Sequence, residues 1–260
     1  MRKLRSAILF ALITLALLEV VLQVYYRVSV GAFLYERMAI PIYAPDPDRC
    51  YAVAPNLEYV HRTQEYEVVY RTNGDGFRVS DQKASGVDDA AGDVLRVLVL
   101  GPSFAFGWAN RHDDSFAARV ARRLDRPEQP VDLLNLGTPG QRIGQQLCWV
   151  QRQAARFRPG LIIQTVYGRL GSIAKLCETT DCPVVRDGFL LRPDTGWRER
   201  LVENSKRSAI VFYSWYLTQR IRVAADVRER MYFLVDVHLT PAGNAVVAKE
   251  SARFLMGNDL

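Results

Sequence analysis

The sequence predicts an α/β fold, a parallel sheet with right-handed crossovers, set behind an N-terminal membrane-spanning helix. Three observations predict it. Apolar runs at 94–100, 131–136 and 161–167 alternate with helical patterns at 113–124 and 144–157, the strand–helix order of parallel sheets. The first run breaks at Gly101-Pro102 and delivers Ser103 to the carboxyl end of a strand, where open α/β sheets build their sites. Residues 6–26 are almost wholly apolar behind the basic leader MRKLR, about the length a bilayer span requires.

Taken in order, residues 1–30 read as a signal anchor. A cleaved signal peptide needs a shorter apolar core and a small-residue cleavage site, and neither is evident. Tyr25 and Tyr26 suit an interfacial belt, and the basic leader favours an inside amino terminus, with everything after about residue 30 outside the cytoplasm. Glu19 and Gln23 lie one helical turn apart within the span. Snorkelling to the interface is the favoured reading, and contact with a partner membrane helix the other.

Residues 31–93 read as a connector with a small β extension. Pro41, Pro45, Pro47 and Pro55 suggest irregular chain from 31 to 60. Residues 65–71 alternate like a strand, and TNGDGFR at 72–78 carries turn signals, so the extension spans about 57–80. Residues 81–93, rich in Asp, Ala and Gly, read as a loop. The main domain is 94–260. After its third strand comes an irregular excursion over 172–200, with a hairpin at 184–191 closing through Asp187-Gly188. Residues 199–230 read as helical, with an aromatic centre at 210–217 that suits core or a membrane-facing surface. A final helix at 241–255 follows the loop carrying Asp236, His238 and Thr240.

The chain has 260 residues, 49% hydrophobic and 24% charged, the composition of a folded domain with a sizeable core. Its net charge of +6 is modest. The arginines are scattered (Arg119, Arg122, Arg123, Arg126, Arg152, Arg156, Arg158) rather than clustered with aromatics, which speaks against nucleic acid as partner. Three histidines and four cysteines show no metal-ligand spacing, so neither metal nor cofactor is expected. Cys50, Cys148, Cys177 and Cys182 belong in an oxidising space, and the short Cys177–Cys182 loop suggests a local disulfide.

Taken alone, Ser103 reads either as a helix cap or as a nucleophile on a strand-to-helix turn. Asp236-Val-His238 reads as a capping acid and a solvent histidine, or as the partners of that serine in a Ser-His-Asp triad. Together, LVLGPSFAFGW, LNLGTPG and DVHLTPAGNAVVA resemble, in order, blocks of the SGNH/GDSL hydrolase family. The likeness is nearest to its membrane-anchored bacterial members with an NxDGFR-like segment, here 73–78. It covers roughly 57–168 and 230–255. The resemblance implies a flavodoxin-like three-layer α/β/α sheet, with Ser103 as nucleophile and first oxyanion donor, Gly140 as second donor, and Asp236 and His238 completing the triad.

Two departures stand out. Pro102 replaces the family's aspartate, and the third block reads Tyr167-Gly-Arg-Leu-Gly-Ser172 without its oxyanion asparagine, Arg169 being the candidate substitute donor. Loss of one such donor typically costs about 10²–10³ in rate. No further strand and crossover can be placed between the third and fifth blocks, so the sheet reads as shortened. The expected function is a serine esterase, anchored in a bacterial inner membrane with its domain in the periplasm or outside the cell, acting on acyl, most simply acetyl, esters of an envelope glycan. The alternatives are an O-acetyltransferase with the same triad and a degenerate fold that binds glycan or a partner protein.

Overall fold

The computed structural model describes residues 2–37, 39–80, 94–166, 182–191, 196–223, 231–233, 236 and 238–257. The chain opens with α1 (Arg2–Val30), one helix long and apolar enough to cross a membrane. A helical turn at Leu34–Arg37 leads into a hairpin of β1 (Tyr43–Asp46) and β2 (Cys50–Val53). The expected irregular connector is therefore largely ordered. Three of its prolines fall at bends and turns, and Asp46 organises the hairpin turn by accepting from the N–H groups of Asp48 at 2.9 Å and Arg49 at 2.8 Å.

The antiparallel strands β3 (Glu58–Arg62), β4 (Glu67–Thr72) and β5 (Arg78–Val79) follow. The main domain contributes β6 (Leu95–Leu100), α2 (Ser103–Phe106), α3 (Phe116–Leu124), β7 (Val131–Asn135), α4 (Ile143–Phe157) and β8 (Leu161–Gln164). β6 pairs in parallel with both β7 and β8, so the three apolar runs form the parallel core. The whole sheet is mixed, however. It has six strands in the order β3-β4-β5-β7-β6-β8, because β5 pairs antiparallel with β7 through Arg78 and Asn135. The 57–80 extension thus belongs to the domain's sheet, and among the described residues that sheet ends at β8.

Strand alternation explains the layers. Val97 and Val99 pack with Phe116, Ala117, Val120 and Leu124 of α3 and with Ala248 of α7 (Pro241–Gly257). Leu98 and Leu100 pack on the other face with Trp149, Ala154 and Phe157 of α4. Each of these aliphatic strand side chains is at most 1% exposed, burial worth about 1.5–3 kcal/mol apiece. Beyond β8 come the hairpin of β9 (Val184–Arg186) and β10 (Phe189–Leu191), then α5 (Trp197–Ser205) and α6 (Ala209–Val223).

Two expectations are overturned. Cys182 is joined to Cys50, not to Cys177, so the bridge ties the β1–β2 hairpin to the start of the β9–β10 hairpin across 132 residues. Cys148 is also disulfide-bonded, and Cys177 lies outside the described residues. Glu19 and Gln23 neither snorkel nor await a foreign helix. Both are hydrogen-bonded to the beginning of α6, with Glu19 Oε1 accepting from Ala209 N at 2.7 Å and Gln23 Nε2 donating to the Arg207 carbonyl at 2.8 Å. The start of a helix offers unpaired N–H groups that a carboxylate satisfies well.

A second core joins the extension to the loop after α2, through Ile40, Ile42, Val53, Val68, Tyr70, Phe106 and Trp108. His61, 1% exposed, sits beside it with one ring nitrogen 3.0 Å from the Arg37 carbonyl and the other 3.2 Å from Tyr70 Oη. Burial pushes its pKa down from 6.5 to about 4. The unfolded chain then binds a proton that the native chain refuses, so stability present above pH 6.5 is lost as the pH falls toward 4. Denaturant unfolding of the full chain in detergent should show a loss of about 3 kcal/mol over that window. His61→Gln, which keeps a donor and an acceptor but does not titrate, should flatten this limb.

Candidate active site

The site begins where β6 ends. Gly101 takes φ +153°, and a side chain there would place Cβ 1.8 Å from Thr165 Oγ1 and 2.7 Å from Ala105 Cβ, so only glycine fits the turn. Pro102 follows with φ −74°, and its carbonyl accepts from Phe106 N at 3.1 Å. Proline costs little ahead of a helix, where its missing N–H would have had no intrahelical partner. Ser103 is the first residue of α2, and its own N–H therefore has no carbonyl behind it within the helix.

The loop before α7 brings the other two residues to this turn. Its frame is set by Phe233 N donating to the His238 carbonyl at 3.1 Å, Thr240 N to Met231 O at 2.9 Å, and Asn110 Nδ2 to Leu239 O at 2.8 Å. His238 Nε2 lies 2.5 Å from Ser103 Oγ. Its Nδ1 is hydrogen-bonded to Asp236 Oδ1, which also accepts from the His238 backbone N–H at 3.1 Å. With Nδ1–H donating to the carboxylate, Nε2 is left to accept the serine proton. Three side chains separated by up to 135 residues thus form one hydrogen-bonded line.

The surroundings of Asp236 hold residues that the sequence reading missed. Its Oδ2 accepts from Tyr66 Oη at 2.9 Å and from Trp108 Nε1 at 3.1 Å, and its backbone N–H donates to Glu65 Oε2 at 3.1 Å. Glu65 and Tyr66 sit in the turn between β3 and β4, so the N-terminal extension supports the acid of the triad. Burial alone would raise the Asp236 carboxyl, but the hydrogen bonds and charge of His238, with the Tyr66 bond, hold it below its ordinary value. Burial pushes the Tyr66 phenol far up, so it remains a donor. Trp108 and Phe104 flank the His238 ring at 5.8 and 5.1 Å between centroids. Tyr66→Phe removes one charge-assisted bond to Asp236 and, for the activity proposed below, should lower kcat/KM for ester hydrolysis about tenfold with little change in KM.

Arg78 is the other missed residue. Its side chain is 1% exposed, yet burial lowers its pKa only to about 10, so it stays a cation. It donates to the carbonyls of Phe106, Gly107 and Asn110, and its guanidinium lies 4.9 Å from the Tyr70 ring centre and 4.6 Å from that of Phe106. It therefore braces the segment that runs from the end of α2 past Trp108. The signal was the closing arginine of the 72–78 segment, but nothing local marks it as buried.

Gly140 lies exposed in the loop after β7, with φ +81°. That loop is bonded to the serine turn, Thr138 N donating to Gly101 O at 2.9 Å, so Gly140 follows two residues after an anchored point. Arg169 lies outside the described residues. Chemically, the arrangement can activate a hydroxyl nucleophile and stabilise the imidazolium that forms. No family model matches the chain, and no curated protein matches it.

Proposed function

We propose that this protein is a serine esterase of the SGNH/GDSL type, held in a bacterial inner membrane by α1, with its domain on the periplasmic or outer side. Its substrate class is an acyl ester, most simply an acetyl ester, of an envelope glycan. The observation that carries this reading is the line of contacts from Ser103 Oγ through His238 to Asp236, with Ser103 Oγ 2.5 Å from His238 Nε2. Ser103 Oγ attacks the ester carbonyl while His238 takes its proton. The backbone N–H of Ser103, together with that of Gly140, stabilises the oxyanion, and His238 then returns the proton to the leaving alcohol. Water, activated by the same imidazole, releases the acyl group. The assembled hydrogen bonds, and the additional partners of Asp236, favour catalysis over a binding role without turnover.

A fluorophosphonate probe tests the nucleophile directly. Full-length protein in detergent should acquire one adduct at Ser103, and prior treatment with excess short-chain ester should slow labelling. An unlabelled folded chain would return the glycan-binding reading to first place. Labelling without release of acetate to water would point to transfer onto a sugar hydroxyl.

A further inference from the structure

The apolar surface of α1 continues onto α6, and the join between them is made with polar groups. Glu19 Oε1 accepts from Ala209 N at 2.7 Å, and Oε2 accepts from Ile210 N at 3.0 Å and Ser208 Oγ at 2.9 Å. Val211 N reaches Ser208 Oγ at 3.4 Å, and Phe212 N the Ser208 carbonyl at 3.0 Å. Each N–H group of the first turn of α6 therefore has an acceptor within the chain. A helix start in water takes side-chain caps or solvent as acceptors, whereas one at membrane depth has only the chain itself to turn to.

The length of α1 sets that depth. At 1.5 Å per residue, a hydrocarbon core of about 30 Å that begins at Ser6 extends about 20 residues, to Tyr25 and Tyr26. Glu19 falls inside this length, so the residues bonded to it lie at membrane depth as well. From there α6 runs beside α1, with Phe212 edge-on to Tyr26 at 5.7 Å and Tyr213 tilted against Tyr25 at 5.9 Å between ring centres. Its other side carries Val211, Trp215 and Leu217, which are 48%, 40% and 59% exposed.

We propose that the start of α6 and the turn before it lie in the domain-side leaflet of the bilayer beside α1, so that lipid covers Val211 at acyl-chain depth and Trp215 and Leu217, which follow Phe212 beyond the level of Tyr26, at the headgroup boundary. This rests on the reading of α1 as a membrane span. Continuity with the apolar surface of α1, and the bonds that tie the helix start to Glu19 within the span, select a bilayer as the medium, and the internally satisfied helix start meets what that medium requires. Arg207, exposed just ahead of α6, supplies a cation for lipid phosphate, which long basic side chains reach by snorkelling. The domain is thereby held by two helices and fixed in orientation, where a single anchor would let it swivel.

The test uses full-length protein in vesicles of phosphatidylcholine and phosphatidylglycerol with brominated acyl chains. Bromine should quench tryptophan emission in the wild type, and Trp215→Phe should remove most of that quenching while aqueous acrylamide quenches both proteins equally. If Trp215→Phe instead removes emission that acrylamide reaches and bromine does not, Trp215 faces water and the proposal falls. It also falls if the emission lost is shielded from both quenchers, since another protein helix then covers α6. Flotation at alkaline pH reads α1 separately: a chain that floats but fails the bromine test loses only the α6 proposal, and a chain that does not float loses both.

Discussion

Ser103→Ala is expected to lower hydrolysis of a short-chain aryl acetate by roughly 10⁴–10⁶-fold, to the level left by binding and oxyanion contacts alone. The reason is geometric: the contact that makes His238 Nε2 useful as a base is the one to Ser103 Oγ, at 2.5 Å. The substitution removes one hydroxyl at the start of a short helix and leaves Gly101, Pro102 and the carbonyl of Ser103 in place. Its unfolding midpoint should therefore stay close to that of the parent, which separates lost chemistry from lost fold. Measurement in detergent on the full chain is essential, because α6 is bonded to α1 through Glu19 and Gln23. Equal rates for the two proteins would overturn the esterase reading.

The second large effect is on stability. Arg78→Met should destabilise the folded chain by about 3–5 kcal/mol, because it takes the guanidinium from the buried carbonyls of Phe106 and Asn110 and leaves that of Gly107 only its bond from Asn110 N. Arg78→Lys should recover little, since an ammonium lacks the planar fork that serves these carbonyls together. Urea unfolding followed by tryptophan emission reads this as a lower midpoint. Residual activity per folded molecule should also drop, since the segment held by Arg78 carries Trp108 to Asp236. A midpoint unchanged in Arg78→Met would mean that water replaces the guanidinium, and that the bracing assigned to it is absent.

The parts legible in the sequence were those with local patterns. Val97, Leu98, Val99 and Leu100 announce a strand buried on both faces, and Gly101 before Ser103 announces a turn that no larger residue can make. Asp236 and His238 were legible because a single loop carries both, and because their order after Ser103 matched a known arrangement. What stayed hidden was made by contacts between distant segments. The bond from Tyr66 to Asp236 spans 170 residues, and the capping of α6 by Glu19 spans 190. Neither leaves a periodic trace. The joining of the extension to the main sheet rests on one register point, Arg78 opposite Asn135, which pattern reading cannot supply. The Cys50–Cys182 pair escaped for the same reason, a nearer cysteine making the more economical guess.

That bridge also has a schedule. Chains emerge from synthesis at about 5–20 residues per second, so Cys50 waits on the order of ten seconds before Cys182 follows it into the same space. Cys148 emerges in the interval, and during it the first partner offered to Cys50 is the wrong one. Four thiols allow three pairings. A hasty oxidant would trap a non-native loop, whereas an environment that reshuffles disulfides lets the hairpin find its own partner. The maturation of this protein should therefore depend on an isomerase more than on the supply of oxidant, because the bridge that pins its amino-terminal hairpin is made with a cysteine that arrives late.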